Sequence, residues 1–203
     1  MGLSPARRII LASRSPRRRE LALSAGWDLL VCPPPDDTED TAPPRQPKES
    51  LEDYVVRLAR AKALCVSQKG IHGIVLACDT LSEVDGRALG QAANREQARE
   101  MLESLSGRRH RVVTGVCLHS VPDNVSLTSS DESDLEMDPL NETFLQWYLE
   151  SGLWQGKAGA CGFQDSKLPL RLVRGSATNV VGLPLELITR MLTELDAQRH
   201  RTT

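Results

Sequence analysis

RIILASRSPRRRELALSAG (residues 8–26) sets a short apolar run ahead of two serines, a proline, four arginines and a segment closed by Gly26. The apolar run reads as a strand over 8–12. Ser15 has N-cap chemistry, and Pro16 suits the first helical position, where an N–H would be unpaired anyway. Gly26 supplies a left-handed stop, so the pattern predicts a helix over 16–25. A strand feeding directly into a capped helix starts an α/β or α+β domain around one sheet, with a cleft along its strand ends. Helix N-termini expose unpaired N–H groups and a partial positive charge. Ser13, Ser15 and Arg18 therefore suit a phosphate or carboxylate, while Arg14, Arg17 and Arg19 shape the local field. A helix start that is merely capped and solvated is the plain alternative.

Downstream, WDLLVC reads as a strand and the proline- and acid-rich residues 33–48 as loop. Ser50 with Asp53 resembles a capping box, and Leu51, Tyr54, Val55, Leu58 and Ala61 recur near helical period to about residue 68. GIVLACDT reads as a buried strand ending on a charge, and Asp85-Gly86 as a two-residue turn between short strands. A helix is predicted over 94–105, closed by Gly107, and RRHRVVTGVCLHS is the best long strand. Residues 119–143 are polar and acidic and read as an extended hairpin arm or mobile excursion. ETFLQWYLESG follows as a helix, then a strand near 170–174, a turn at GSATN and a terminal helix over 184–197. One domain over 1–203 is the expectation for this length.

Lys plus Arg number 25 against 27 Asp plus Glu, a net charge of -2, which argues against a general nucleic-acid or membrane-surface binder. The five cysteines are scattered with no CxxC pair, as in a reduced cytoplasmic protein. IILA after Arg7-Arg8 is far shorter than a secretory apolar region, so a soluble cytoplasmic chain is expected.

Asp79 stands where an α/β sheet opens into its crevice, and a carboxylate there is costly unless it is paired or used. Beside a phosphate cradle it could hold a divalent metal or take a proton from water; capping the next turn is its structural alternative. Glu39, in an acidic loop, could add a second metal-directed oxygen, and Lys62, on an alanine-rich helix, could reach a phosphate; solvated positions are the common fates of both types. His110 is expected to be exposed or to protect an edge strand. DTLSE begins like the aspartyl-nucleophile phosphatase signature but lacks its second acid, which excludes that class.

In order, LASRSPRRREL, DDTED, RLARAKA, ACDT, DGRALG, LSGRRHRVVTGV, KAGACGFQ and GSATNVVGLP resemble the Maf family of septum-formation inhibitors and nucleoside triphosphate pyrophosphatases, from about residue 8 to 195. The resemblance implies a fold like that of the inosine triphosphate pyrophosphatases: an elongated mixed sheet flanked by helices, with a central cleft between two lobes. It implies metal-dependent hydrolysis, with Mg²⁺ or Mn²⁺, between the α and β phosphates of a nucleoside triphosphate. Its phosphate and catalytic positions fall on Ser15, Arg18, Glu39, Lys62 and Asp79, with Glu39 and Asp79 directed to metal. Thr80 and Gln164 match the dTTP and UTP subgroup, and an amide that both donates and accepts suits a pyrimidine edge.

Three departures accompany the match. LGQA puts Gln91 where the family carries a phosphate-facing lysine, and an amide hydrogen-bonds a phosphate without neutralising it. Cys78 replaces the alanine of ADT, and Cys161 with Phe163 replaces the usual YGI residues. A nucleotide-binding regulator of cell division with weak or lost catalysis is the rival function. A homodimer is what the resemblance implies, with no membrane or nucleic-acid partner.

Overall fold

The computed structural model describes residues 8–35, 43–165 and 167–202. In chain order the elements are β1 (Ile9–Leu11), α1 (Pro16–Ser24), β2 (Leu29–Val31), α2 (Leu51–Ser67), β3 (Gly73–Val84), β4 (Arg87–Leu89), α3 (Arg95–Leu105), β5 (Arg109–Val121), β6 (Val125–Met137), α4 (Glu142–Glu150), β7 (Leu170–Arg174), α5 (Ala177–Val181) and α6 (Leu185–Thr202). The strands form one mixed sheet in the order β2-β1-β3-β5-β6-β7, with β4 paired to β3. Helices flank it, which makes the chain α/β. By its contacts the chain divides into two compact units. One holds the described residues of Met1–Asp79, Thr114–Asp131 and Gly182–Thr203; the other holds Thr80–Val113 and Glu132–Val181.

In the first unit β1 is parallel to both β2 and β3, with Ile9 opposite Leu29 and Ile74. A strand paired on both sides and covered on both faces has to be apolar throughout, which explains the unbroken Ile-Ile-Leu. Its side chains alternate between faces. Ile9 and Leu11 join Ile74, Leu76, Val116 and Leu118 under α1 and α6, through Ala22, Leu187, Ile188 and Leu195. Ile10 and Ala12 join Val75, Ala77 and Cys117 under α2, through Ala59, Ala63 and Val66. On that face Gly115 of β5 meets α2 without an intervening side chain: a Cβ there would lie 2.3 Å from the Val55 carbonyl carbon.

In the second unit α3 and α4 pack Leu102, Leu105, Tyr148 and Leu149 onto Val84, Leu89 and Met137. Asp85 and Gly86 both adopt left-handed backbone (φ 49° and 76°), the geometry of the tight turn that matches sheet twist, and β3 and β4 pair beyond them with Val84 opposite Arg87.

The structure corrects three expectations and decides a fourth. β3 does not end at its charge but continues to Val84, so Asp79 is a mid-strand residue. GSATN is not only a turn, since Ala177–Val181 forms a short helix. Of the two readings of 119–143 the hairpin arm holds: beside β5 in the sheet runs β6, whose Ser133, Leu135 and Met137 are buried. Its acids are partnered by arginines of neighbouring strands. Arg111 bridges Glu83 and Glu132, Arg174 bonds Glu132 and Asp134, and Glu136 meets both Arg109 and Arg171. His110, finally, is buried on β5. Burial pushes its imidazole down to about 4.

Candidate functional site

Ser15 caps α1, its hydroxyl accepting from the Arg18 N–H at 3.4 Å, and the Ser13 hydroxyl accepts from the Ser15 N–H at 3.1 Å. A hydroxyl that accepts through a lone pair keeps its proton to donate, so both serines can still bond an anion. The first turn of α1 contains no acid and carries Arg17, Arg18 and Arg19. Cations at the positive end of a helix dipole each cost about 0.3–1 kcal/mol, a conflict that an anion at that terminus relieves.

Lys62 is buried because of its phase in α2. The buried residues are Leu51, Val55, Leu58, Ala59, Lys62, Ala63 and Val66, a single stripe at helical spacing, and the lysine lies within it. Asp79 is equally enclosed, both residues being 6% exposed. Lys62 Nζ donates to Asp79 Oδ1 at 2.5 Å. Two charges taken out of water hold only as a pair, and removing either partner strands the other. Asp79 Oδ2 accepts no hydrogen bond among the described residues. Magnesium is commonly held by one or two carboxylates together with substrate phosphates, so this free oxygen fits such an ion; no three His, Cys, Asp or Glu side chains cluster among the described residues.

Arg18 reaches from α1 to the same place. Its Nη1 donates to the Cys78 carbonyl at 2.8 Å and its Nε to the Gly182 carbonyl at 2.7 Å. The chain thus brings together Ser13, Ser15, Arg18, Lys62 and Asp79, all within the first unit. The Cys78 thiol is no nucleophile, since burial pushes it up to about 11. Glu39 lies outside the described residues; the described chain on either side of residues 36–42 is held by cations on carbonyls. Arg14 donates to Pro34 at 2.7 Å, Lys69 to Pro33 at 2.9 Å and Arg57 to Pro43 at 3.0 Å.

The second unit carries Thr80, half-buried on β3, and the exposed Gln91 and Gln164. Gln91 forms an antiparallel bridge with Ala158, and the Gly159 N–H donates to the Gly90 carbonyl at 2.9 Å. The turn that follows is tightly determined: Ala160 is left-handed at φ 56° and its carbonyl accepts from Tyr148 Oη at 3.3 Å. Beside it lies Lys157, a second buried lysine to which the sequence reading assigned nothing. Its apolar neighbours Ala158, Ala160 and Cys161 are the signal that could have marked it as enclosed.

Residues 8–195 match the family model described as Maf-like protein. A relative from Rhodopirellula baltica named dTTP/UTP pyrophosphatase is 40% identical over 196 residues, covering 96% of this chain and 85% of its own. A Symbiobacterium thermophilum protein of the same name is 42% identical, covering 92% and 93%. One from Pyrococcus abyssi, again so named, is 37% identical, covering 91% and 94%. Among solved structures, a HAM1 protein from Coxiella burnetii aligns over 92% of this chain and 98% of its own, at TM-score 0.47 and 21% identity.

Proposed function

The chain belongs to the Maf family, and from that premise we propose that it hydrolyses nucleoside triphosphates, dTTP and UTP foremost, to the monophosphate and pyrophosphate. One observation carries the proposal: the buried Lys62–Asp79 pair, tied to the anion-receptive start of α1 through the Arg18 bond to the Cys78 carbonyl. Relatives named dTTP/UTP pyrophosphatase over nearly the full chain supply the substrate class.

The α1 terminus, with the hydroxyls of Ser13 and Ser15 and the nearby charge of Arg18, receives the phosphates. Lys62 balances Asp79 before substrate arrives and offers its ammonium to developing phosphate charge during reaction. Asp79, through Oδ2, takes the proton of the attacking water or, with Glu39, holds a divalent cation. Such a cation, when bound, neutralises phosphate charge and orients the anhydride. Thr80 and Gln164 read the pyrimidine edge, and Gln91 contacts phosphate without neutralising it. Five free thiols suit the reducing cytoplasm in which free nucleotides are met. Among the described residues no helix is long and apolar enough to cross a membrane.

A panel of triphosphates assayed with Mg²⁺ and with Mn²⁺ tests the proposal. Pyrophosphate release is expected to be fastest from dTTP and UTP, and Asp79→Asn is expected to lower it at least about 100-fold. Gln91→Lys in the same assay is expected to raise kcat by about tenfold or more if the missing cation limits the rate. Absence of metal-dependent turnover on every triphosphate would sink the enzyme and favour the regulator that only binds nucleotide.

A further inference from the structure

The geometry points to Arg18 as a positioning residue for Asp79: through two of its N–H donors it fixes the peptide before that carboxylate. The role rests on Asp79 being the reacting carboxylate proposed above.

Two N–H donors of Arg18 are directed into the protein, onto the carbonyls of Cys78 and Gly182, which stand 60 and 164 residues away in the chain. Both bonds are charge-assisted, so they are stronger than a neutral pair at the same distance. The Cys78 carbonyl belongs to the same rigid peptide plane as the Asp79 nitrogen, so holding the one orients the main chain of the other. Gly182 leads into Leu183 and α6, which share a core with Ala22 of α1. Arg18's own N–H is the group that Ser15 caps. A single residue therefore links the anion-receptive serine, the strand carrying Asp79 and the segment before α6. A guanidinium presents its donors in a rigid plane and can serve two carbonyls in fixed directions, whereas an ammonium is a point charge on a flexible stem.

Arg18→Lys separates charge from geometry, because it keeps the cation and removes the fork. For a positioning residue, kcat on dTTP with Mg²⁺ should fall about 100-fold, the scale of a small misplacement of a reacting group, while KM and product inhibition by pyrophosphate stay within about threefold. Amide hydrogen exchange at residues 77–79 and 182–183 should quicken about tenfold or more. A lysine variant with wild-type kcat overturns the role, and so does a KM raised tenfold with exchange unchanged, which is the signature of a direct phosphate contact.

The wild-type protein provides a second measurement that no folding defect can confuse. The Arg18 Nε–H, followed by ¹⁵N NMR, should stay protected from solvent exchange both without ligand and with a non-hydrolysable dTTP analogue plus Mg²⁺. Release of that proton from the Gly182 carbonyl on adding the analogue overturns the role. Should the wild-type protein hydrolyse no triphosphate, the proposed function falls, while exchange at 77–79 and 182–183 in the lysine variant still decides whether Arg18 holds the two segments.

Discussion

Lys62 and Asp79 face each other as a salt bridge nearly closed to water. Truncating the lysine leaves a carboxylate that is 6% exposed without its counter-charge. Lys62→Met is therefore expected to destabilise the protein by about 3–5 kcal/mol in urea unfolding. The double variant Lys62→Met with Asp79→Asn, which removes both charges, should recover most of that loss. Equal stability of single and double variants would show that the pair is not the reason. The importance of Asp79 was legible from its place after an apolar run. The burial of Lys62 was legible only through phase, because lysine is ordinarily a surface residue and its one distinguishing mark is that it falls on the Leu51–Val55–Leu58 stripe. The value of Arg18 was legible as positive charge, but not its direction, since carbonyls 60 and 164 residues away leave no local trace.

At the scale of elements, α2 is where packing and site meet, since it delivers Lys62 and rests directly on Gly115. An alanine there would bring a Cβ within 2.3 Å of backbone atoms that have no side-chain freedom to yield. Gly115→Ala should cost about 1–3 kcal/mol through overpacking, and a lower kcat should accompany it as α2 shifts and carries Lys62 away from Asp79. A calorimetric midpoint lowered by about 2–4 °C per kcal/mol checks the first effect, and a melt equal to wild type refutes it. Elements with their own stop signals were legible in the sequence: α1 through Ser15 and Pro16, α2 through Ser50 and Asp53, the β3–β4 turn through Asp85-Gly86. β6 was legible only as one of two readings, a hairpin arm or an excursion, because its acids suit a solvated segment equally well. Yet its last half alternates strictly, Glu132, Asp134 and Glu136 against Ser133, Leu135 and Met137, and only the arginines of other strands make that alternation affordable. β3 was cut short for a related reason: a strand was expected to end where its first charge appears, and this charge has its partner on a helix.

For the whole molecule, acid is the revealing perturbation. His110 is buried and neutral: unfolded, it takes a proton near the ordinary 6.5, and folded only near 4. The unfolded state binds more protons across that window, so stability falls as pH drops from 6.5 to 4, by about 3 kcal/mol at most. His119, also buried and shifted down, acts in the same direction. Glu49 acts lower: the Arg57 hydrogen bond holds its carboxyl at about 2, so its stabilisation is complete above 4.5 and lost on falling toward 2. Urea midpoints measured from pH 7 to 3 should decline throughout, and His110→Leu should flatten the upper part while leaving the lower. A wild-type midpoint constant between pH 7 and 4.5 contradicts this account. The alternation of β6 has a consequence for descent as well. Strand side chains change face with every residue, so losing one residue inside β6 would turn Leu135 and Met137 toward the arginines and Glu132, Asp134 and Glu136 toward the core. A single residue gained or lost within that strand would have to be taken up as a bulge, as the ladder to β7 already takes up a register shift between Asp134 and Leu135.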